Sequence, residues 1–575
     1  MKQRLSILVL LLLAACAPKD GVYHLTLLTT DDVHGAWFDS LYVGNGTRNS
    51  LFAVNYYVDS VRRADGPENV MLIDAGDCLQ GDNASYYYDY VDTTTEHLFV
   101  RLMDYMGYDA VAVGNHDVET GHHVYDRVTK QLASHGIPFM AGNARINNSN
   151  KTYWPGYKLF KKGGMKVLLL GYTNPDMASW LSEDLWSGMH FENLIPLVQN
   201  DVDRLQAKYH PDITIVMAHS GTGEGDGSIL ESQGLDLYKS LRNVDFMVSA
   251  HDHRQVAFSN DTIAFINTGN RSRFLGHGTA EVEIKGGKVV SKKISSDLIK
   301  VDKHKADTNM RKAFQKDYEA VKAFTVREVG NLAMDMYTRD SYKGMSDYID
   351  LVHTVQLEAT GAQISFAAPL TYNGKIPAGV LLYNDMFTIY PYENQIYSLK
   401  MSGKQVKDFL EYSYNMWLAD PGTDHVLRII QRDDPRNNQK SWSFDKRSYN
   451  FDSAAGLVYT VDVTKPFGER VNIASMADGS KFSEDAEYTV AMTSYRANGG
   501  GGSLNEGAGI PKEEVESHII HRYPEIREFI YQYIEKNKNI DHALIADESV
   551  IGEWHFVPVS AVTAIDEDMK LLFNR

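Results

Sequence analysis

Five short stretches of this chain carry side chains that could hold metal. They are Asp32-Val33-His34, then Asp74-Ala75-Gly76-Asp77-Cys78-Leu79-Gln80-Gly81, Gly114-Asn115-His116-Asp117, Ala218-His219-Ser220-Gly221 and His251-Asp252-His253. Carboxylate oxygens mixed with imidazole nitrogens suit Zn, Mn, Fe or Co better than Ca, which takes an all-oxygen cage. Each stretch alone has a plainer reading. Asp-x-His triplets are common in surface turns, Gly-Asp-x-x-x-Gly is often only a turn, and Asn-His after a strand is often a helix cap. A lone buried His is more often a satisfied core residue than a ligand. The ordered set, running from position 32 to position 253, is far harder to assemble by chance.

Each stretch follows an apolar run that reads as a buried strand. The runs are Tyr23 to Leu28, Val70 to Ile73, Ala110 to Val113, Ile213 to Met217 and Phe246 to Val248. Similar runs stand at Pro138-Phe139-Met140, Val167 to Leu170 and Ala264-Phe265-Ile266. Helix-period segments such as Leu51 to Arg63, His97 to Met106 and Leu197 to Tyr209 lie between them. Alternation of this kind predicts a layered α/β domain over 22–302, with its chemistry at the strand ends. The charged stretch 303–328 predicts a connector helix. A Tyr-rich α+β domain follows over 329–537, with a long helix near Ser341 to Thr360. An extension over 538–575 ends in an expected helix from Asp566 to Arg575.

Composition narrows the partners. The 575 residues are 43% hydrophobic and 23% charged, with a formal net charge of −18. No run of Lys and Arg offers a track for a phosphate backbone, which argues against a nucleic-acid polymer. A small anion remains compatible, because bound cations reverse the local field. No obligate protein partner is evident. Residues 1–16 read as a targeting segment: Lys2 and Arg4 precede the apolar run Leu5 to Leu13. Leu13-Ala14-Ala15-Cys16 resembles a bacterial lipobox, which implies lipidation of Cys16 and a membrane anchor. The alternative is an ordinary signal peptide with a chance Cys. Both imply export to the bacterial cell envelope, as a periplasmic protein or an outer-membrane lipoprotein. Cys78 has no intrachain partner and is expected as a small buried filler.

The ordered motif set resembles the calcineurin-like metallophosphoesterases. The resemblance implies two divalent metal ions of the Zn, Mn, Co or Fe class. Asp32, His34, Asp77 and His253 would hold one, and Asp77, Asn115, His219 and His251 the other, with Asp77 bridging. Two cations so held can clamp an in-line phosphoryl displacement. His116 would face the phosphoryl group and assist the leaving oxygen. Many secreted nucleotidases support that His with an Asp three residues later; here the position is Glu119. Asp117 is read as a surface charge.

The second half narrows the resemblance to the secreted 5′-nucleotidase group. That group includes UDP-sugar hydrolases and 2′,3′-cyclic-nucleotide 2′-phosphodiesterase/3′-nucleotidases. The matching pieces are Ala367-Ala368-Pro369, Ile376-Pro377-Ala378-Gly379, Tyr449-Asn450-Phe451-Asp452, Gly456-Leu457-Val458-Tyr459 and Thr493 to Gly501. They imply that Phe451 and Tyr495, with Tyr449 as a third candidate, sandwich a nucleobase, and that the Gly-rich run lets backbone approach the ligand. Strand-packing aromatics are the plainer reading. An Arg that helps hold phosphate in many 5′-nucleotidases is missing, and Lys375 is the charge in its neighbourhood. The resemblance implies an exported dinuclear-metal hydrolase of nucleotide phosphoesters. It further implies that base and phosphate meet different domains, so the 303–330 connector is an expected hinge. The alternatives are a UDP-sugar or sulfur-ester hydrolase on the same scaffold, or a non-catalytic surface nucleotide-binding lipoprotein.

Overall fold

A computed structural model describes residues 20–260, 262–392, 394–434 and 439–573. The targeting segment 1–16, with Cys16, lies outside the described residues. Two compact units divide the described residues: those up to 178 with 183–322, and 179–182 with those from 323 onward. Among the described residues, no helix is long and apolar enough to cross a membrane.

The first unit is built on two six-stranded sheets. Its strands are β1 (Gly21–Thr30), β2 (Val70–Asp74), β3 (Ala110–Ala112), β4 (Phe139–Met140), β5 (Tyr157–Lys162), β6 (Met165–Tyr172), β7 (Ile213–Ala218), β8 (Phe246–Val248), β9 (Gln255–Ser259), β10 (Ala264–Thr268), β11 (Phe274–Lys285) and β12 (Lys288–Lys300). The sheet orders are β12-β11-β1-β2-β3-β4 and β9-β10-β8-β7-β6-β5. Within the first sheet β1 to β4 run parallel, as do β6, β7, β8 and β10 within the second. Parallel strands need crossover connections, which the intervening helices supply.

Side-chain alternation assigns the layers. Leu25, Leu27, Met71 and Ile73 of the first sheet pack with Val167, Leu169, Ile215 and Met217 of the second. Their neighbours Leu168, Leu170 and Val216 point the other way, onto Leu194, Val198, Val202 and Leu205 of helix Leu194–Tyr209. The period of two in the strands and the 4-4-3 spacing in the helix are those of strand and helix faces. The expected layered domain is present.

The connector differs from expectation. It is two helices, Thr308–Ala313 and Gln315–Thr325, rather than one. Asp307 caps the first by accepting the N–H groups of Asn309 and Met310. Phe314 breaks the run, its ring buried 5.4 Å from Tyr105 and 6.3 Å from Phe52.

The second unit has a five-stranded sheet in the order Ser453–Ala455, Ile364–Ala367, Glu487–Thr493, Gln395–Ser402, Ile519–Glu525. Helix Gly403–Trp417 packs on it through Val406, Phe409, Leu410, Tyr414 and Trp417. The long helix is Asp347–Thr360, later than the expected start at Ser341, because residues 338–342 form a separate short turn. Residues 538–573 are built into this unit. Gly552–Val557 pairs in parallel with Leu457–Asp462. The terminal helix begins at Val559, ahead of the expected Asp566. Its buried Asp568 accepts the N–H groups of Val426 and Leu427 at 2.8 and 2.9 Å.

Candidate metal centre

Strand ends bring the expected side chains into two clusters that could hold a metal ion, Asp32 with His34 and His253, and Asp77 with His219 and His251. In the first, the Nε2 atoms of His34 and His253 stand 3.0 Å apart. Asp32 Oδ1 lies 3.3 Å from His253 Nε2 and 3.8 Å from His34 Nε2. In the second, His219 Nε2 is 3.1 Å from Asp77 Oδ2 and 3.1 Å from Asn115 Oδ1, and His251 Nδ1 is 2.8 Å from Asn115 Oδ1.

The donor set fits divalent cations. His34 Nδ1 faces the carbonyl of Gln80 at 3.1 Å, so it carries the proton and leaves Nε2 with a lone pair. Burial, then the charge of His253, pushes His34 down to about 3, which keeps the ring neutral. Asp32 Oδ1 is fully buried and accepts no hydrogen bond. A buried carboxylate oxygen without a hydrogen bond and the His34 lone pair beside it are costly without a positive charge near them. In the second cluster burial opposes protonation of His219, but Asp77 overrides it and raises the imidazole to about 10. The proton occupies the place where a cation would be held by the same nitrogen and carboxylate.

Backbone geometry supports this reading. Asp32, His34, Asp77, His251 and His253 all have left-handed φ, between +46° and +74°. Non-glycine residues adopt this region at a cost of about 1–3 kcal/mol each, and such strain clusters at functional sites. Asp77 and Gly114 approach so closely that any side chain at 114 would strike the Asp77 carboxylate.

His116 sits beside both clusters. Its ring centroid is 5.3 Å from that of His34, and its backbone N–H donates to Asp77 Oδ1 at 2.8 Å. Nδ1 lies 2.6 Å from Glu119 Oε2. Burial works against its protonation, but Asp77 and then Glu119 outweigh that and raise it to about 9.

Asp117 corrects the sequence reading. It is no surface charge but fully buried, and its carboxylate accepts four backbone N–H groups: Asp77 at 3.0 Å, Cys78 at 2.8 Å, Leu79 at 2.9 Å and Gly114 at 2.8 Å. It thereby ties together the two loops that carry Asp77 and Asn115. Cys78 is buried as expected, with its thiol 3.1 Å from Asp74 Oδ1. No motif marks Asn270, whose amide nitrogen is 3.0 Å from His253 Nδ1. Glu231, also outside every motif, has its carboxylate 3.4 Å from His251 Nε2.

The aromatic loops belong to the second unit. Phe451 corrects the expectation of a base-stacking ring. It is fully buried, stacked on Trp417 at 5.6 Å and 8°, and met edge-on by Phe444 at 5.1 Å. Tyr449 and Tyr495 are only half-buried, and their rings meet edge-on at 6.5 Å. The Gly-rich run packs against Tyr495. A Cβ on Gly500 would lie 2.5 to 2.6 Å from three atoms of the Tyr495 ring, so this backbone covers one ring face. Arg496 joins the two loops. It donates to the carbonyls of Tyr449 and Gly500 and to Asn450, and it pairs with buried Asp452 at 2.8 Å. Lys375 is committed to Asp335 at 2.6 Å.

Two family models match the chain. The family model described as calcineurin-like phosphoesterase matches residues 31–255, and that described as 5′-nucleotidase, C-terminal domain matches residues 324–506. The chain joins a calcineurin-like phosphoesterase domain to a 5′-nucleotidase C-terminal domain. A trifunctional nucleotide phosphoesterase protein of Bacillus subtilis (strain 168) is 24% identical over 95% of this chain and 40% of its own length. The chain thus spans about two fifths of that relative. A 2′,3′-cyclic-nucleotide 2′-phosphodiesterase/3′-nucleotidase of Haemophilus influenzae is 21% identical, covering 94% of this chain and 89% of the relative. Among solved structures, a putative 5′-nucleotidase of Staphylococcus aureus superposes with a TM-score of 0.75 at 21% identity, covering 93% of this chain and 99% of that one. Its likeness shows that the two-domain fold is shared. The phosphoesterase match begins just before Asp32 and ends just after His253, so it encloses every residue of both clusters.

Proposed function

We propose that this chain is an exported hydrolase of nucleotide phosphoesters that works with two divalent metal ions. The observation that carries the reading is the pair of adjoining clusters, one holding Asp32, His34 and His253 and the other Asp77, His219 and His251, with His116 beside both. In this reading Asp77 serves both ions, and Asn115 completes the second set. The ions, when bound, would lower the pKa of water and offset charge on the phosphoryl oxygens. The chain's own residues do the rest. Gln80 and Ala75 carbonyls orient His34 and His219 through Nδ1, at 3.1 and 2.8 Å. His116, protonated and held by Glu119, donates its Nε2 proton to the leaving alkoxide. The base is assigned to Tyr495, with Tyr449 at its edge, on loops tied by Arg496.

Nucleotide substrates are supported by the activities for which the relatives above are named. Export is supported by Lys2, Arg4 and the apolar run Leu5 to Leu13, and a lipid anchor by Cys16. The test uses the soluble chain loaded with Mn or Zn and a panel of 5′-, 3′- and 2′,3′-cyclic nucleotides. Metal-dependent phosphate release is expected. Its absence across the whole panel sinks the reading.

A further inference from the structure

We propose that Arg271 binds the phosphate-type anion of the substrate at the rim of the Asp32, His34 and His253 cluster. The inference rests on the phosphoesterase reading above and adds a residue to it. A phosphoester needs a directional donor as well as metal charge, because point charges do not fix its orientation. In the second unit Lys375 is paired with Asp335.

The first unit brings a guanidinium to the cluster. Arg271 follows β10. Its backbone N–H donates to the carbonyl of Asp32 at 2.9 Å, and its Nη2 donates to the carbonyl of Gly81 at 2.9 Å. Gly81 in turn lies against His34, where an added Cβ would be 2.9 Å from the His34 Cβ. The preceding residue, Asn270, is the one that meets His253. Arg271 is therefore bonded to, or adjoins, the surroundings of all three cluster members.

The loop that carries it is fixed along its length. Buried Asp31 accepts the N–H of Thr268 at 2.7 Å as well as its hydroxyl. Asn49 donates to the carbonyl of Ser272 at 3.4 Å, and Val301 to that of Arg273 at 2.9 Å. Arg271 and Ser272 both hold left-handed backbones, at φ +52° and +56°. A residue needed only for that turn would be Gly or Asn. The guanidinium is a planar fork of N–H donors that stays charged and matches phosphate oxygens. Its bond to Gly81 fixes where that fork stands.

The competing role is purely structural, a clamp on the Gly81 carbonyl. Arg271→Gln removes the charge and is too short to keep the bond to that carbonyl, so Tm and metal content separate the two: a clamp shows as lowered Tm or lost metal, an anion site as lost phosphate affinity alone. Inorganic phosphate is titrated calorimetrically into the metal-loaded full chain and into the R271Q and R271K variants. In R271Q phosphate binding should weaken about 10- to 100-fold and KM for nucleotides should rise. Metal stoichiometry and Tm should stay at wild-type values, and R271K should recover part of the loss. Equal phosphate affinity in wild type and R271Q overturns the proposal, as does phosphate loss that comes only with lost metal or lowered Tm. A wild-type chain that neither binds phosphate nor cleaves any nucleotide overturns the phosphoesterase reading and this proposal together.

Discussion

The Phe451 ring lies flat on the Trp417 indole, 5.6 Å away at 8°, and is sealed there by Phe444 and Tyr342. A ring buried on this scale works as core. Phe451→Ala should therefore destabilise the second unit by about 3–5 kcal/mol, read as a fall in Tm. Tyr495→Ala should leave Tm near wild type. It should raise KM for nucleotides by about 5- to 150-fold, the equivalent of one base-stacking contact, and leave KM for a base-free phosphoester unchanged. A larger KM effect from Phe451 than from Tyr495, at equal folded fraction, would reverse the assignment.

Asp117 makes a second prediction. Each of its oxygens accepts two backbone N–H groups: Oδ1 those of Cys78 and Leu79, Oδ2 those of Asp77 and Gly114. Asn is nearly isosteric but presents an NH2 group to one of those pairs. Two buried donors left unsatisfied cost about 2–6 kcal/mol. Asp117→Asn should lower Tm accordingly and weaken metal retention at the second cluster, since the Asp77 and Asn115 loops lose their tie. Thermal unfolding and metal content after dialysis measure the two effects. Unchanged Tm would show that the carboxylate is dispensable.

The contrast between Phe451 and Asp117 shows what a linear pattern can convey. The residues of the two clusters were legible because each follows an apolar run that becomes a strand, and parallel strands within each sheet bring their ends to a common edge. That logic needs only local periodicity and order. Asp117 was misread because its partners come from residues 77–79, far off in sequence, so nothing nearby marks it as buried. Phe451 was misread because its neighbour Trp417 comes from a helix whose packing follows only from the fold. Arg271 belongs to no motif, and the contact with Gly81 that places it exists only in three dimensions. The break at Phe314 has the same origin: helix propensity predicted one run, and burial of one ring made two.

His116 and Glu119 make the third prediction. The 2.6 Å contact leaves Nδ1 committed to the carboxylate and Nε2 as the proton donor. His116→Ala should lower kcat by about 10²–10⁴-fold, the range for one general acid, while two metal ions remain per chain. Glu119→Gln keeps an acceptor for Nδ1 but removes its charge, so its kcat should fall between the two. Loss of metal in His116→Ala would make that residue a ligand.

The last prediction concerns pH, at a residue of the second unit. Asp350 is buried in the first turn of helix Asp347–Thr360. Burial, with a smaller contribution from Asp347, raises its carboxyl to about 7. The unfolded chain releases this proton near the ordinary carboxylate value of about 3.9. Between these two values the folded state binds more protons than the unfolded state, so stability falls as pH rises through that window. Below it both states are protonated and Asp350 has no effect. Above it the penalty is complete, on the order of 4 kcal/mol at 1.36 kcal/mol per pKa unit. Asp350→Asn removes the ionisation at nearly constant shape. The Tm of the variant should match wild type at pH 4 and exceed it progressively up to pH 7.5. A gap that stays constant across that range, or that opens towards acid, would mean that Asp350 is ionised in the folded protein and that burial does not control it.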